Sequence, residues 1–418
     1  MKKLSVLFLS SLILFGLLSK ADTPPLFQID KELDSYKKTV VTEDDEERYS
    51  EMEFYLLTGG PGTMVWENFG HSAILLKTPD SYSIAFDWGI FSFDDSFFVN
   101  FAFGRLYYEA WATYGDYRIE SLIEEDRSVS LLKLDLDNNQ KKNLFSFLMY
   151  STKEENRTYL YDYFRDNCAT RPRDIYSWLT DGDFERVLKE TPSKETLREC
   201  VERHLSLSSF PVAWTISYLL GPDTDKEETM WEACFLPSTL EKCIREYQGD
   251  EEEEIYTSLS RDPVPEKWSL KIRSIFFGAI LSLLSLIPLL KRRALERIGD
   301  IASGLVHLFF GILSLVLIFF MFFTIHNVTK GNINCLIISP LCLISSALHF
   351  ASLGKKRRVK PLLINSALML IVSLFVLAAR LIAPSLIQDS YAVFIPALML
   401  YAAETFASWW KTKHQEIE

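Results

Sequence analysis

An excess of positive charge, clustered metal ligands and, between residues 22 and 270, long apolar runs are what this 418-residue sequence lacks. Its 44 Lys and Arg are outnumbered by 56 Asp and Glu, for a net charge of -12. A chain of that balance has no field to hold a polyanion, which excludes a nucleic-acid binder. Six cysteines and six histidines are few for this length, and none are paired at the spacings that grip a metal. The reading is therefore of a protein with no structural zinc site.

The apolar residues that are present are unevenly placed. Lys2 and Lys3 precede an apolar stretch from Leu4 to Leu18, and Ser19-Lys20-Ala21 offers small residues at a cleavage site. Residues 1–21 read as an export signal cleaved after Ala21. The other reading is an uncleaved anchor, although the stretch is short for a hydrocarbon core of ~30 Å. Either way the domain that follows is exported. Cysteine does not follow the stretch closely, so the chain is not itself a lipoprotein by this signal.

Beyond Lys271 the composition changes. Ile272 to Leu290, Ile301 to Ile325, Ile333 to Leu353, Pro361 to Ile382 and Tyr391 to Trp410 are each near the length a membrane-crossing helix needs. Lys291, Arg292, Arg293 and Arg297 follow the first, Lys355, Lys356, Arg357, Arg358 and Lys360 the third, and Lys411 and Lys413 the fifth. Basic loops stay in the cytoplasm, so the C-terminus is expected there and residues 22–265 outside, with 266–418 the multi-pass membrane domain of the cytoplasmic (inner) membrane. Trp268, Trp409 and Trp410 stand where interfacial aromatics do. The acidic run Asp250 to Glu254 reads as a solvated linker. His307, His349 and Arg380 are ionisable residues inside spans, where such groups are costly and mark function or, for Arg380 near a segment end, snorkelling.

The exported half carries the chemistry. Glu53 to Leu57 followed by Thr58-Gly59-Gly60-Pro61-Gly62 reads as a strand and tight loop, and Val129 to Leu136 as another strand. His71 to Leu76 and Tyr82 to Gly89, joined through Pro79 and Asp80, read as a hairpin. Centred near Pro79, it sets Asp87 opposite His71, as a carboxylate able to orient the imidazole. A one-residue slip would turn Asp87 to the other face. The aromatic stretch Phe91 to Tyr117 reads as core with a packed helix, or as a surface for an acyl chain. Asn139 to Tyr150 reads as a helix. Cys168 precedes Pro172, a residue suited to a first helical turn, so the thiol stands at or just before a helix start. Unpaired N–H groups there, with Arg165, Arg171 and Arg173 close by, would favour the thiolate and bind an oxyanion. A thiol and an imidazole joined by the fold are the parts of cysteine-dependent acyl transfer; an inert buried cysteine and a hydrogen-bonded core histidine are the bland alternative. A disulfide among Cys200, Cys234 and Cys243 is open, without a readable pairing.

Four runs carry a resemblance: Leu56-Leu57-Thr58-Gly59-Gly60-Pro61-Gly62, Trp66-Glu67-Asn68-Phe69-Gly70-His71, Phe86-Asp87-Trp88-Gly89 and Asp166-Asn167-Cys168-Ala169-Thr170-Arg171-Pro172-Arg173-Asp174, with Trp231 to Pro237 in support. Over residues 50 to 240 the chain resembles the Lnb family of lipoprotein intramolecular transacylases. The order His then Cys further resembles circularly permuted NlpC-type, papain-like enzymes. The resemblance implies an α+β fold in which an antiparallel sheet bears the base and packs on a helix bearing the thiol, followed by a transmembrane helical bundle. It implies Cys168 as nucleophile and His71 as base, with Asp87 as orienter resting on the register above. Trp66, Glu67, Asn167 and Arg171, within these motifs, are expected to bind the substrate. That substrate would be a diacylated lipoprotein at a membrane lipid surface, whose sn-2 acyl chain passes through Cys168 to its own N-terminal amine, with no metal or soluble cofactor needed. The competing expectations are N-acylation from a phospholipid donor, a membrane-anchored peptidoglycan peptidase or amidase, and a non-catalytic interaction protein.

Overall fold

A computed structural model describes residues 28–415 apart from 81, 250–252, 261–263, 265–268, 291, 354–358 and 384–387. The export signal, Trp268, part of the acidic run and five of the loop cations (Lys291, Lys355, Lys356, Arg357 and Arg358) thus lie outside the described residues. The chain divides into two compact units: residues 23–197 with 227–264, and residues 198–226 with 265–418.

The first unit is built on a seven-stranded antiparallel sheet. Its strands are β1 (Glu53–Gly59), β2 (His71–Lys77), β3 (Ser83–Ile90), β4 (Tyr107–Tyr114), β5 (Val129–Lys133), β6 (Thr158–Leu160) and β7 (Glu253–Tyr256), in the order β6-β4-β3-β2-β1-β5-β7. Alternate side chains point to opposite faces. Phe54, Leu56, Ile74, Leu76, Phe86, Trp88 and Leu132 join one core, and Leu57, Ala73, Leu75, Ala85 and Leu131 join another. Residues from the helices Asn138–Ser151, Thr170–Leu179 and Pro237–Gln248 complete the first core, and Leu122 of the helix Gly115–Glu124 the second. We call these α3, α4, α5 and α2, with α1 for Phe97–Phe103.

Three expectations change. The β2–β3 hairpin pairs Lys77 with Ser83 and Ala73 with Asp87, because Thr78 donates both its N–H and hydroxyl to the Tyr82 carbonyl and closes a longer loop. Asp87 is therefore diagonal to His71, not opposite. The aromatic stretch is not core throughout: Tyr107–Tyr114 is a strand, and α1 buries none of its residues. The end of the acidic run is no linker, since Glu253–Tyr256 pairs with β5.

Among its described residues the second unit holds five helical segments long and apolar enough to cross a membrane: Ser269–Leu290, Arg293–Phe323, Asn334–Ser352, Val359–Ile382 and Tyr391–His414. Their main helices are α6 (Ser269–Leu286), α7 (Arg293–Phe323), α8 (Leu341–Ser352), α9 (Val359–Ile382) and α10 (Tyr391–Gln415). The third span is broken before Pro340, whose ring cannot continue a helix from the preceding turn. Residues 198–226, placed with the exported domain by sequence, cluster with these helices instead. Trp214 Nε1 donates to the Ala392 carbonyl at 2.8 Å, and Asn332 Nδ2 donates to the carbonyls of Tyr218 and Leu220. Buried amide and indole donors that find carbonyls in this way hold a connection that polarity alone would place in water. Arg380 pairs with Asp389 at 3.5 Å.

Candidate active site

His71 opens β2, and its position depends on the glycine before it. Gly70 has φ +82°, and a Cβ there would stand 2.8 Å from the Gly59 carbonyl oxygen. Only glycine turns the chain from the preceding 3-10 turn, Val65–Phe69, into the strand at this point. Thereafter the alternation of β2 puts His71 on the same face as Ala73, and the diagonal relation brings Asp87 of β3 within reach. His71 Nε2 lies 2.6 Å from Asp87 Oδ1. Nε2 thus donates to the carboxylate, and Nδ1 is the nitrogen left for the thiol.

Asp87 has a second partner that the sequence did not disclose. Arg118 Nε, from α2, donates to the same oxygen at 3.0 Å. Burial alone would raise the Asp87 carboxyl, but the hydrogen bond from His71 and the charge of Arg118 outweigh it and hold the group below its ordinary value. Asp87 is thereby kept an anion in a nearly water-free place.

Cys168 arrives from the other side of the sheet. It precedes the Ala169 cap of α4 by one residue, and Asn167 fixes this start with all of its side-chain groups. Asn167 Oδ1 accepts from the N–H groups of Ala169 and Thr170, both at 2.8 Å, while Nδ2 donates to the carbonyls of Tyr163 and Phe235. Two of the helix-start donors expected to await an oxyanion are therefore already satisfied. The thiol instead meets the His71 ring and the backbone N–H of Ser72. Burial works against a thiolate, but the His71 charge and hydrogen bond and the Ser72 N–H prevail and lower the Cys168 pKa. Reciprocally, burial opposes an imidazolium at His71, yet the thiolate beside it and Asp87 raise its pKa. Both shifts favour a thiolate–imidazolium pair.

Arg171 and Arg173 do other work. Arg171 donates to Asp166 at 2.6 Å, lies 3.5 Å from Glu32 and stacks 3.5 Å from the Tyr159 ring centroid. Arg173 donates to Asp174 and to the Trp231 carbonyl. Their charges are spent on buried carboxylates, so the depression of the thiol comes from His71 and the Ser72 N–H. Glu67 Oε2 accepts from the Met64 N–H and closes the 3-10 turn, whereas Trp66 is half exposed and packs edge-on to Phe91 at 6.0 Å.

Beside the thiol the wall is aromatic. The β3–β4 register shifts between Asp87 and Ile90, and within that irregularity Gly89 takes φ +84°. A Cβ at Gly89 would touch the Tyr161 ring at 3.4 Å and reach within 4.0 Å of Cys168 Cβ. Tyr161 packs on Tyr108 at 4.7 Å, and Tyr108 stacks on Phe91 at 4.9 Å. Phe91, Phe97, Phe101 and Tyr108 border a cavity of about 270 Å³. Phe93, Phe98, Val99 and Phe101 stand exposed beside it.

Sequence reasoning missed Arg118, the Ser72 N–H and Tyr161. Arg118 is one charge on an otherwise ordinary amphipathic helix, and a backbone donor carries no residue signature. Tyr161 lies in the cysteine's own aromatic run and could have been found by its closeness to Asn167 and Cys168.

Comparison with known families places both units. Residues 44–203 match the Lnb N-terminal periplasmic domain, a span that contains His71, Asp87, Arg118 and Cys168. Residues 270–415 match the Lnb transmembrane domain. Neither a curated protein nor a solved structure matches the chain significantly. With two family models in the expected order covering most of its length, the chain belongs to the Lnb family, a family of lipoprotein-modifying membrane enzymes.

Proposed function

We propose that the protein is a cysteine-dependent lipoprotein intramolecular transacylase. The observation that carries the reading is the run of contacts from Arg118 through Asp87 and His71 to Cys168, which supplies a nucleophile, a base and a fixed anion behind the base. The exposed aromatic surface that continues from Tyr108 through Phe91 to Phe93 and Phe98 supports an acyl substrate over a peptide one.

The Cys168 thiolate attacks the sn-2 ester carbonyl of the diacylglyceryl group on the lipoprotein's N-terminal cysteine. As the tetrahedral adduct collapses, the glyceryl oxygen leaves and takes the proton of His71, giving a free hydroxyl and a thioester on Cys168. The lipoprotein's α-amine then attacks the thioester, gives its proton to His71 and expels the thiolate. The product is N-acylated and lyso at sn-2. Asp87 holds the imidazole with Nε2 protonated and offsets its charge in both steps, as an orienting carboxylate does. The Ser72 N–H, which faces the sulfur, is the backbone donor nearest the reacting centre. Trp66 is the expected contact for the lipid portion; Asn167, Arg171 and Glu67 act by positioning the thiol loop and the turn before His71. An extracytoplasmic first unit and a cytoplasmic C-terminus follow from the loop charges and complete the reading.

Mass spectrometry of lipoprotein N-terminal peptides from cells with and without the protein tests it. Lyso-form peptides should vanish with the protein and with Cys168→Ser or His71→Ala at equal expression. Unchanged lipopeptides, or altered muropeptides in their place, would overturn the assignment.

A further inference from the structure

Inside the helical unit, three donors from three different helices converge. His307 of α7, His349 of α8 and Glu404 of α10 are all buried, His307 completely so. One donor atom from each can be chosen so that all lie within 4.8 Å of one another. His349 Nε2 is 2.6 Å from Glu404 Oε1, and His307 Nε2 is 3.2 Å from Glu404 Oε2. The second approach is close but misaligned: among the described residues neither nitrogen of His307 nor Glu404 Oε2 makes a well-directed hydrogen bond. A buried imidazole and a buried carboxylate oxygen left in that condition are costly, the more so between apolar helices. A ring nitrogen and a carboxylate oxygen that stand this close without bonding each other are what two ligands of one ion present. Ligands ~2.0 Å from a tetrahedral zinc stand ~3.3 Å apart, close to the His307–Glu404 separation.

Two further features fit an ion. Asp300 Oδ1 lies 3.3 Å from His349 Nδ1, the nitrogen opposite Glu404, where a carboxylate orients a ligating imidazole and sharpens its basicity. The two carboxylates with two neutral imidazoles carry a charge of two, which a divalent cation cancels in surroundings that tolerate no net charge. We propose that His307, His349 and Glu404 form a binding site for a divalent transition-metal ion, zinc by the nature of its ligands. On binding, the ion displaces the proton shared by His349 and Glu404 and opens that contact to ligand spacing. Three protein donors leave a fourth position for water or for the Cys342 thiol beside His307. The site is independent of the thiol chemistry in the other unit. Sequence spacing could not reveal it, since the three ligands lie on helices far apart in the chain.

The test uses the full chain in detergent, purified on a tag that binds no metal, equilibrated with Zn²⁺ and desalted. Elemental analysis should return about one zinc per chain, and the same from Cys168→Ser, which rules out capture by the thiol site. Glu404→Gln and His307→Ala should each lower zinc affinity at least tenfold while Cys168 alkylation, a reporter of the separate unit, is unchanged. Because a variant may fail to fold, Co²⁺ is also added to the wild-type protein, where four-coordinate binding gives an intense visible absorption. Zinc-free wild-type protein with no cobalt spectrum, or equal zinc in folded Glu404→Gln, would overturn the site.

Discussion

His71 and Asp87 meet at 2.6 Å although they are not cross-strand partners: Asp87 pairs with Ala73, and the contact runs diagonally across β2 and β3. Arg118 Nε reaches the same carboxylate oxygen at 3.0 Å. Asp87→Asn keeps the size of the side chain but offers an amide where an anion stood, so the imidazolium loses its counter-charge. The expected loss in transacylation rate is about a hundred- to ten-thousand-fold, with folding intact. A rate within threefold of wild type, measured on a lipopeptide substrate, would remove Asp87 from the mechanism.

Thiol alkylation reads the ion pair directly. The Cys168 pKa lies below its ordinary value and that of His71 above, so the thiolate is populated at a lower pH than a free thiol requires. Iodoacetamide should label Cys168 readily at pH ~6.5, where a thiol of pKa ~8.5 is about 1 % ionised. In His71→Ala the Ser72 N–H alone is left to oppose burial, and the inflection should move upward. An unchanged profile would mean that the pair does not exist.

Arg118→Met tests the same chain from its far end. With Arg118 present the folded-state pKa of Asp87 is depressed, so the carboxylate contributes stability above its ordinary pKa and loses it as pH falls through the depressed one. Removing the guanidinium lifts that folded pKa. The acid limbs of both the melting temperature and the rate should shift to higher pH, with smaller changes near neutrality. Limbs that coincide with wild type would show that Arg118 does not act on Asp87.

Gly70→Ala should damage both fold and activity, since the new Cβ has a forbidden φ and a carbonyl oxygen 2.8 Å away. A cost of about 1–3 kcal/mol is expected by thermal denaturation, with Cys168 alkylation slowed because His71 is displaced. Wild-type stability in this variant would contradict the steric account.

Charge on the aromatic surface should separate lipid capture from chemistry. Phe93→Asp with Phe98→Asp leaves the thiol, its base and their contacts untouched, and both side chains are exposed. The rate with a lipid-embedded substrate should fall about tenfold or more while Cys168 alkylation holds. Equal loss of both would point to misfolding, and loss of neither to a surface without a lipid role.

Much of this was legible in the residues. The strand from Glu53, the hairpin after His71, the helix near Asn139 and the start of a helix after Cys168 follow from alternation, turn residues and a first-turn proline. The five apolar spans follow from length. What could not be read was set by tertiary choices: the extra length of the Thr78 to Tyr82 loop, Asn167 taking up the helix-start donors, and the packing of residues 198–226 among apolar helices through buried amide and indole donors. The strand Tyr107–Tyr114 was obscured because its aromatics suit a sheet, a core or a lipid surface equally well.

The cap on the thiol helix also sets a time at which the enzyme can begin to act. Asn167 holds Cys168 partly through the Phe235 carbonyl, and His71 must already be docked on β2 for the sulfur to ionise. A nascent chain therefore carries an ordinary, sluggish thiol until residue 235 has been made and has folded back onto the helix start. Reactivity is acquired in one late step of folding, after the segment that supplies that carbonyl has closed on the helix start.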